Sequence, residues 1–380
     1  MRPPTTWVRT GAYWLVVVAG WFTNLLWMVK TLPLLAPDSL YYYGRALLYA
    51  GYSRTQAWEI ANALGEPHNW RVSSVERMFD WDLVEPRVVY SALAAPLVRQ
   101  MGWNGMLVVS IGAALLLYLL MAWALWYRFG PGPALAAILV VLSCRTWFRF
   151  AVSGLTESLS ALFLALALGA VWLYRRSRRG PSKRWSWVYL VAAATATVLF
   201  CFTRQAALIP AAALAAAYLG EWIRTRRWRN SWLAASATIV GAAAACQLVQ
   251  LMLFPFDQAE QLMTETGASN LGEALAVAPT RLLGIIEGHL RSFAVHDVGM
   301  FAAIGLSALA LVLCWRRVEV HLFGGAILAG LVYQAANATT RTGLRYCEPG
   351  FFIYALVLGT LFAWFAATAA PAKNAANPNG

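Results

Sequence analysis

Residues 155–179 read LTESLSALFLALALGAVWLYRRSRR, an apolar run with Thr156-Glu157 near one end and Arg175, Arg176, Arg178 and Arg179 at the other. About 20 mostly apolar residues, rising ~1.5 Å each as a helix, match the ~30 Å hydrocarbon core of a bilayer. The run therefore predicts a membrane-spanning helix with a carboxylate at one surface and a dense guanidinium cluster at the other. Lys and Arg close to span ends are retained in the cytoplasm. The arginine end is accordingly cytoplasmic and Glu157 extracytoplasmic.

The rest of the chain repeats this pattern. Of 380 residues, 60% are hydrophobic and only 12% charged, whereas a soluble domain carries about a quarter charged residues. A soluble class is excluded, and an all-α integral membrane protein is expected. Apolar runs near 12–29, 104–126, 133–148, 155–174, 186–203, 205–222, 231–253, 298–315, 319–338 and 349–367 give about ten transmembrane helices in a single polytopic domain, residues 1–370. Val88–Met101 is too short to cross, with Pro96 and Arg99 inside it, and reads as an interfacial helix. The first span lacks a small-residue cleavage pattern after it and reads as a retained anchor. Residues 371–380 read as a disordered tail.

With ten spans and a cytoplasmic N-terminus, the basic segments 175–184, 224–229 and 316–317 all fall inside, and both termini are cytoplasmic. Of the 17 acidic residues only Glu221 and Glu319 share that side. Because the retention rule ignores acidic residues, their segregation is independent support for the orientation. The net charge of +13 is assigned to retention signals and anionic inner-leaflet lipid, not to nucleic acid. The five cysteines sit in or beside spans without metal-ligand spacing, and the four histidines are dispersed.

Two extracytoplasmic loops, about 31–103 and 254–297, are long enough to roof a cavity. The first contains helix-like stretches at 41–52 and 54–64, and the second an amphipathic stripe of Leu282, Ile285, Ile286 and Leu290. Four polar clusters fall on this side: Pro37-Asp38-Ser39-Leu40-Tyr41-Tyr42, Thr156-Glu157, Thr203-Arg204-Gln205 and Arg345-Tyr346-Cys347-Glu348-Pro349. Asp38 opens a helix with Tyr42, Arg45 and Tyr49 following at helical spacing; Pro-Asp-Ser is equally an ordinary N-cap signal. Glu157 at a span start calls for a polar cavity or for a partner among Arg145, Arg149 and Arg204. Arg204, Arg345 and Arg341 suit a phosphate, since Arg offers a planar fork of donors; snorkelling to headgroups is the competing account. Asp80-Trp81-Asp82, if extended, would place two carboxylates on one side as a weak candidate for a divalent metal.

The order of these features resembles the C-type, membrane-integral glycosyltransferases (GT-C) that use polyprenyl-phosphate sugars. In that superfamily a catalytic Asp or Glu follows the first span, here Asp38. An Arg-Pro-like segment precedes the second span, here Glu85-Pro86-Arg87 in reversed order. A Ser/Thr-Glu pair opens the fourth, here Thr156-Glu157, and an Arg closes the fifth, here Arg204. An Arg-Tyr-x-x-Pro pattern leads into a late span, here Arg345 to Pro349.

The resemblance implies an inverting transfer of a mannose-like or other sugar from a polyprenyl-phosphate donor to an acceptor at the outer face. Asp38 and Glu157 would be catalytic, Arg204, Arg345 and Arg341 would bind the donor phosphate, and Tyr42, Arg45 and Tyr346 would bind substrate. No metal cofactor is needed where two guanidiniums neutralise a monophosphate. The chain departs from many relatives in having one carboxylate at position 38 and no large soluble C-terminal domain, which favours a lipid or glycan acceptor over a polypeptide. A non-catalytic lipid or solute carrier is the alternative. Carriers commonly show repeated halves and charges at the bilayer midplane, neither of which stands out here.

Overall fold

The apolar runs form helices throughout a computed structural model that describes residues 4–82, 84–179, 185–254, 258–337 and 344–369. Arg341 and the 371–380 tail lie outside the described residues. Among the described residues there are seventeen α-helices: α1 Pro4–Thr31, α2 Ser39–Tyr49, α3 Arg54–Gly65, α4 Val75–Phe79, α5 Val88–Met101, α6 Trp103–Phe129, α7 Pro131–Ser143, α8 Arg145–Val152, α9 Glu157–Arg179, α10 Ser186–Thr203, α11 Leu208–Thr225, α12 Leu233–Leu253, α13 Gln258–Thr266, α14 Leu271–His296, α15 Val298–Leu313, α16 Val318–Asn337 and α17 Phe351–Ala369. A 3-10 turn, Arg345–Gly350, leads into α17. No strand occurs among the described residues.

Seven of these helices are long and apolar enough to cross a membrane: α1, α6, α9, α10, α12, α16, and α17 together with its 3-10 turn. The expected 133–148 span is instead two helices, α7 and α8, bent by 72°. The bend coincides with a cap supplied from a distant part of the chain. The first amides of α8, from Arg145 and Thr146, donate to the Asp297 carboxylate at 3.3 and 2.6 Å, and the same carboxylate caps α15 by accepting from Met300 at 3.0 Å. One buried Asp thus satisfies two helix starts. The 205–222 run is α11, with Glu221 and Arg224 near its end, and the 298–315 run is α15, only 16 residues long.

Two opposite ends of the bundle differ in chemistry. Where α6 and α9 finish and α12 and α16 begin, Arg128 pairs with Glu319 at 2.9 Å, Arg176 donates to the Tyr127 hydroxyl at 2.6 Å and Arg175 lies over the Trp232 ring at 3.8 Å. At the other end, α1 and α10 finish and α9 and the 3-10 turn begin, and there the polar clusters meet. Close helix contact fixes the frame between them. A Cβ at Gly325 would strike the backbone of Ala212 and Ala213, so α16 lies directly on α11, an approach that small residues permit between spans. That contact sets the turn before α11, which carries Arg204, beside the segment after α16, which carries Arg345.

The segment between α1 and α6 is a folded cap. Helix α2 packs on α3, α4 and α5, and α5, the short helix expected at 88–101, packs on α6 and α10. In the second loop, Ile285 is the buried member of the α14 stripe, with Leu282, Ile286 and Leu290 half-buried; His289 beside them is buried too, while Leu283 is exposed. Burial lowers the His289 pKa, favouring the neutral ring.

Candidate functional site

Each site residue is aimed by a chain turn. Asp38 occupies the N-cap position of α2, yet its side chain makes no cap hydrogen bond. It is freed for another partner, so the capping alternative is not what the geometry shows. Glu157 is the first residue of α9. Arg204 ends α10 in an extended conformation, its amide donating to the Phe200 carbonyl at 2.9 Å, and α11 begins four residues later. Leu344 adopts a left-handed backbone with φ of 57°, an uncommon state for a branched side chain. It turns the chain so that Arg345 enters the 3-10 turn facing the cluster.

Asp38, Glu157, Arg204 and Arg345 converge, with up to 307 residues between partners. The Glu157 Oε1 atom faces two guanidiniums: Arg204 Nη1 at 2.7 Å, as an ion pair without hydrogen-bond alignment, and Arg345 Nε, which donates to it. Arg345 Nη1 donates to Asp38 Oδ2 at 2.7 Å, while its Nη2 is buried and has no hydrogen-bond partner among the described residues. Exposure grades along the chain of charges: the side chains of Glu157 and Arg204 are 2% and 4% exposed, Arg345 13% and Asp38 37%. Glu157 is therefore the inner anchor and Asp38 the outer, accessible carboxylate.

Aromatic groups surround the charges. The Arg204 guanidinium lies 5.5 Å from the Tyr346 ring centroid and that of Arg345 lies 5.6 Å from Phe150. Tyr42 is fully buried, its hydroxyl accepting from Arg87 Nη1 at 2.6 Å and its carbonyl accepting from the Ser91 hydroxyl at 2.9 Å. Burial opposes the charge on Arg87, but the Tyr42 and Tyr346 phenols and the Asp38 carboxylate outweigh it and hold the guanidinium above the usual arginine range. Beneath the cluster, Glu157, Ser158, Glu348 and Trp147 line a small pocket with Leu117, Ala151, Ala161 and Phe351. Both carboxyl oxygens of Glu348 and the Trp147 Nε1 are buried without a hydrogen-bond partner among the described residues.

Arg45 is not brought to the cluster. It donates to the Glu85 carbonyl at 2.9 Å and the Phe79 carbonyl at 2.5 Å, tying the outer cap together. The Asp80-Trp81-Asp82 segment is not extended: Asp80 caps the end of α4 with φ of −114° and ψ of 21° and pairs with Arg54. The alternation that would have aligned both carboxylates therefore does not apply. No grouping of three or more metal-ligating side chains occurs among the described residues.

The comparisons stop short of a family. No family model, characterised protein or solved structure matches the chain. Sequence reasoning assigned no site role to Arg87 or Glu348. The signal for Arg87 was the Glu85-Pro86-Arg87 segment before a helix; for Glu348 it was a carboxylate at a span start, the same signal that singled out Glu157.

Proposed function

We propose that this cluster is the donor site of an inverting glycosyltransferase that uses a polyprenyl-phosphate sugar, at the extracytoplasmic end of a GT-C-like bundle crossing the membrane ten times. The crossing count adds to the seven apolar helices the bent pair α7–α8, α11 and α15. The start of α11 beside Tyr333 and its end beside His321 support its running between the two ends of the bundle.

The observation that carries the reading is the charge ladder itself. Asp38 and Glu157 face Arg204 and Arg345, with Arg87 behind Tyr42 and Glu348 beneath Glu157, so the two guanidiniums paired with carboxylates are backed by a third held on a phenol. A phosphate at the accessible side meets a planar donor fork with one unpartnered nitrogen, Arg345 Nη2. Asp38, the exposed carboxylate, accepts the proton of an acceptor hydroxyl. That oxygen bonds to the anomeric carbon as the bond to the phosphate breaks, the phosphate keeps the electron pair, and Arg345 and Arg204 carry its charge. Attack from the face opposite the phosphate inverts the anomeric carbon. Glu157 positions both guanidiniums.

The test is direct. Purified protein, given a panel of polyprenyl-phosphate sugars and a cell-envelope acceptor extract, should glycosylate an acceptor and release polyprenyl phosphate in equal amounts. If no donor yields product while reconstituted vesicles move a lipid or solute in an Arg345-dependent way, the site serves a carrier instead.

A further inference from the structure

The three arms of Arg345 are not equivalent. Its Nε donates to Glu157, its Nη1 to Asp38, and its Nη2 is buried without a partner among the described residues. A phosphate binding the Nη1–Nη2 edge through two parallel hydrogen bonds therefore finds one donor vacant and one occupied. The occupant is the carboxylate proposed as the base.

We propose that Asp38 is a self-masking base: in the ligand-free state it is paired with Arg345, and the donor's phosphate takes over Arg345 Nη1 and so frees Asp38. The proposal rests on the reading of Arg345 as an anion ligand. The exchange is between Asp38 and the phosphate, not Glu157 and the phosphate, for three reasons. Asp38 has a 37% exposed side chain, so it returns to water with little desolvation to overcome. Among the described residues Arg345 is its only ion-pair partner, and no cap hydrogen bond ties it to α2. Glu157, by contrast, is 2% exposed and held by two guanidiniums, and unpairing it there would leave a buried charge uncompensated. The consequence is an ordered site. Without donor the base is occupied and activates neither acceptor nor water; with donor seated, a free carboxylate stands beside the leaving group.

The prediction has a counter-intuitive sign: removing the base should tighten anion binding, because a competitor for Arg345 is gone. The full-length protein in detergent micelles is titrated with farnesyl phosphate, with farnesol as the uncharged control. Asp38→Asn should bind farnesyl phosphate about 5-fold more tightly than wild type, the fold-change equivalent to about 1 kcal/mol for a partly exposed ion pair, and farnesol should be unchanged. Simple relief of repulsion between Asp38 and the phosphate would also tighten binding, so the substitution is repeated in an Arg345→Gln background. Exchange at Arg345 predicts that the tightening disappears there, whereas repulsion predicts that it persists. If Arg345→Gln does not survive extraction, Arg345→Met, uncharged and of similar length, takes its place with the same expectation. Selective farnesyl phosphate binding that Asp38→Asn leaves unchanged, weakens, or tightens equally in both backgrounds overturns the exchange and leaves the anion site standing. Farnesyl phosphate binding no tighter than farnesol to wild type and to Asp38→Asn overturns the anion site itself, and the exchange with it.

Discussion

Replacing Glu157 by Gln removes one negative charge from between two guanidiniums while keeping the side chain's shape. The Glu157 side chain is 2% exposed and faces Arg204, 4% exposed, and Arg345, 13% exposed. Losing one member of a buried ion pair costs about 3–5 kcal/mol, because the remaining charge is left uncompensated. Arg345 keeps Asp38 as a second partner, so most of the loss falls on Arg204. At about 2 °C per kcal/mol for a large chain, the thermal midpoint in lipid nanodiscs should drop by roughly 5–10 °C. Asp38→Asn, at a site 37% exposed, should cost about 1 kcal/mol or less and shift the midpoint by only ~2 °C. Adding Arg204→Gln to Glu157→Gln removes the stranded charge and should recover about half the loss. A midpoint for Glu157→Gln within 2 °C of wild type, or a double variant lower than the single, would refute the role of Glu157 as the anchor.

Four further outcomes follow from the same residues. Asp38→Asn should lower transferase turnover by about 10²-fold or more, the scale of losing a general base; near-normal turnover would deny Asp38 that role. Activity should survive EDTA, and Asp80→Asn/Asp82→Asn should retain metal-free turnover, since Asp80 is paired with Arg54; loss on chelation restored by manganese or magnesium would count against this. In a cysteine-free background, an impermeant thiol reagent should label a cysteine at Asn270 and not one at Gly180 in intact cells, and the reverse pattern would invert the orientation. The His289 pKa is lowered by burial, so the folded state takes up its proton later than the unfolded chain as pH falls. Stability should therefore decline below about pH 6.5, the unfolded value, and His289→Gln should flatten that decline in a melting series from pH 7 to 5; identical pH profiles would remove His289 as its source.

The membrane class, seven of the spanning helices and the shared location of four polar clusters were legible because they rest on local quantities: apolar length and the placement of charge. Residues such as Glu157 and Arg204 stood out because an ionisable group at a span end without a loop to carry it outward calls for a partner. The partner itself was partly legible, since Arg204 was among the candidates for Glu157, but Arg345 as the bridge to Asp38 was not. That pairing closes a loop of 307 residues and depends on α16 lying directly against α11. The bend after α7 was hidden for the same reason. The apolar run continues through it, and the carboxylate that caps α8, Asp297, lies 152 residues from Arg145. Arg45 shares a helix with Asp38 and Tyr42, which made it a candidate, yet the carbonyls that claim it come from Phe79 and Glu85 in a folded loop.

An experimental structure of the protein with polyprenyl phosphate bound tests the central claim most directly. The account predicts phosphate density on the Nη1 and Nη2 atoms of Arg345 with Arg204 alongside, Glu157 still between the two guanidiniums, and the Asp38 carboxylate turned away from Arg345 toward the accessible side. Phosphate bound elsewhere in the bundle, with the Asp38–Arg345 pair intact, would contradict it.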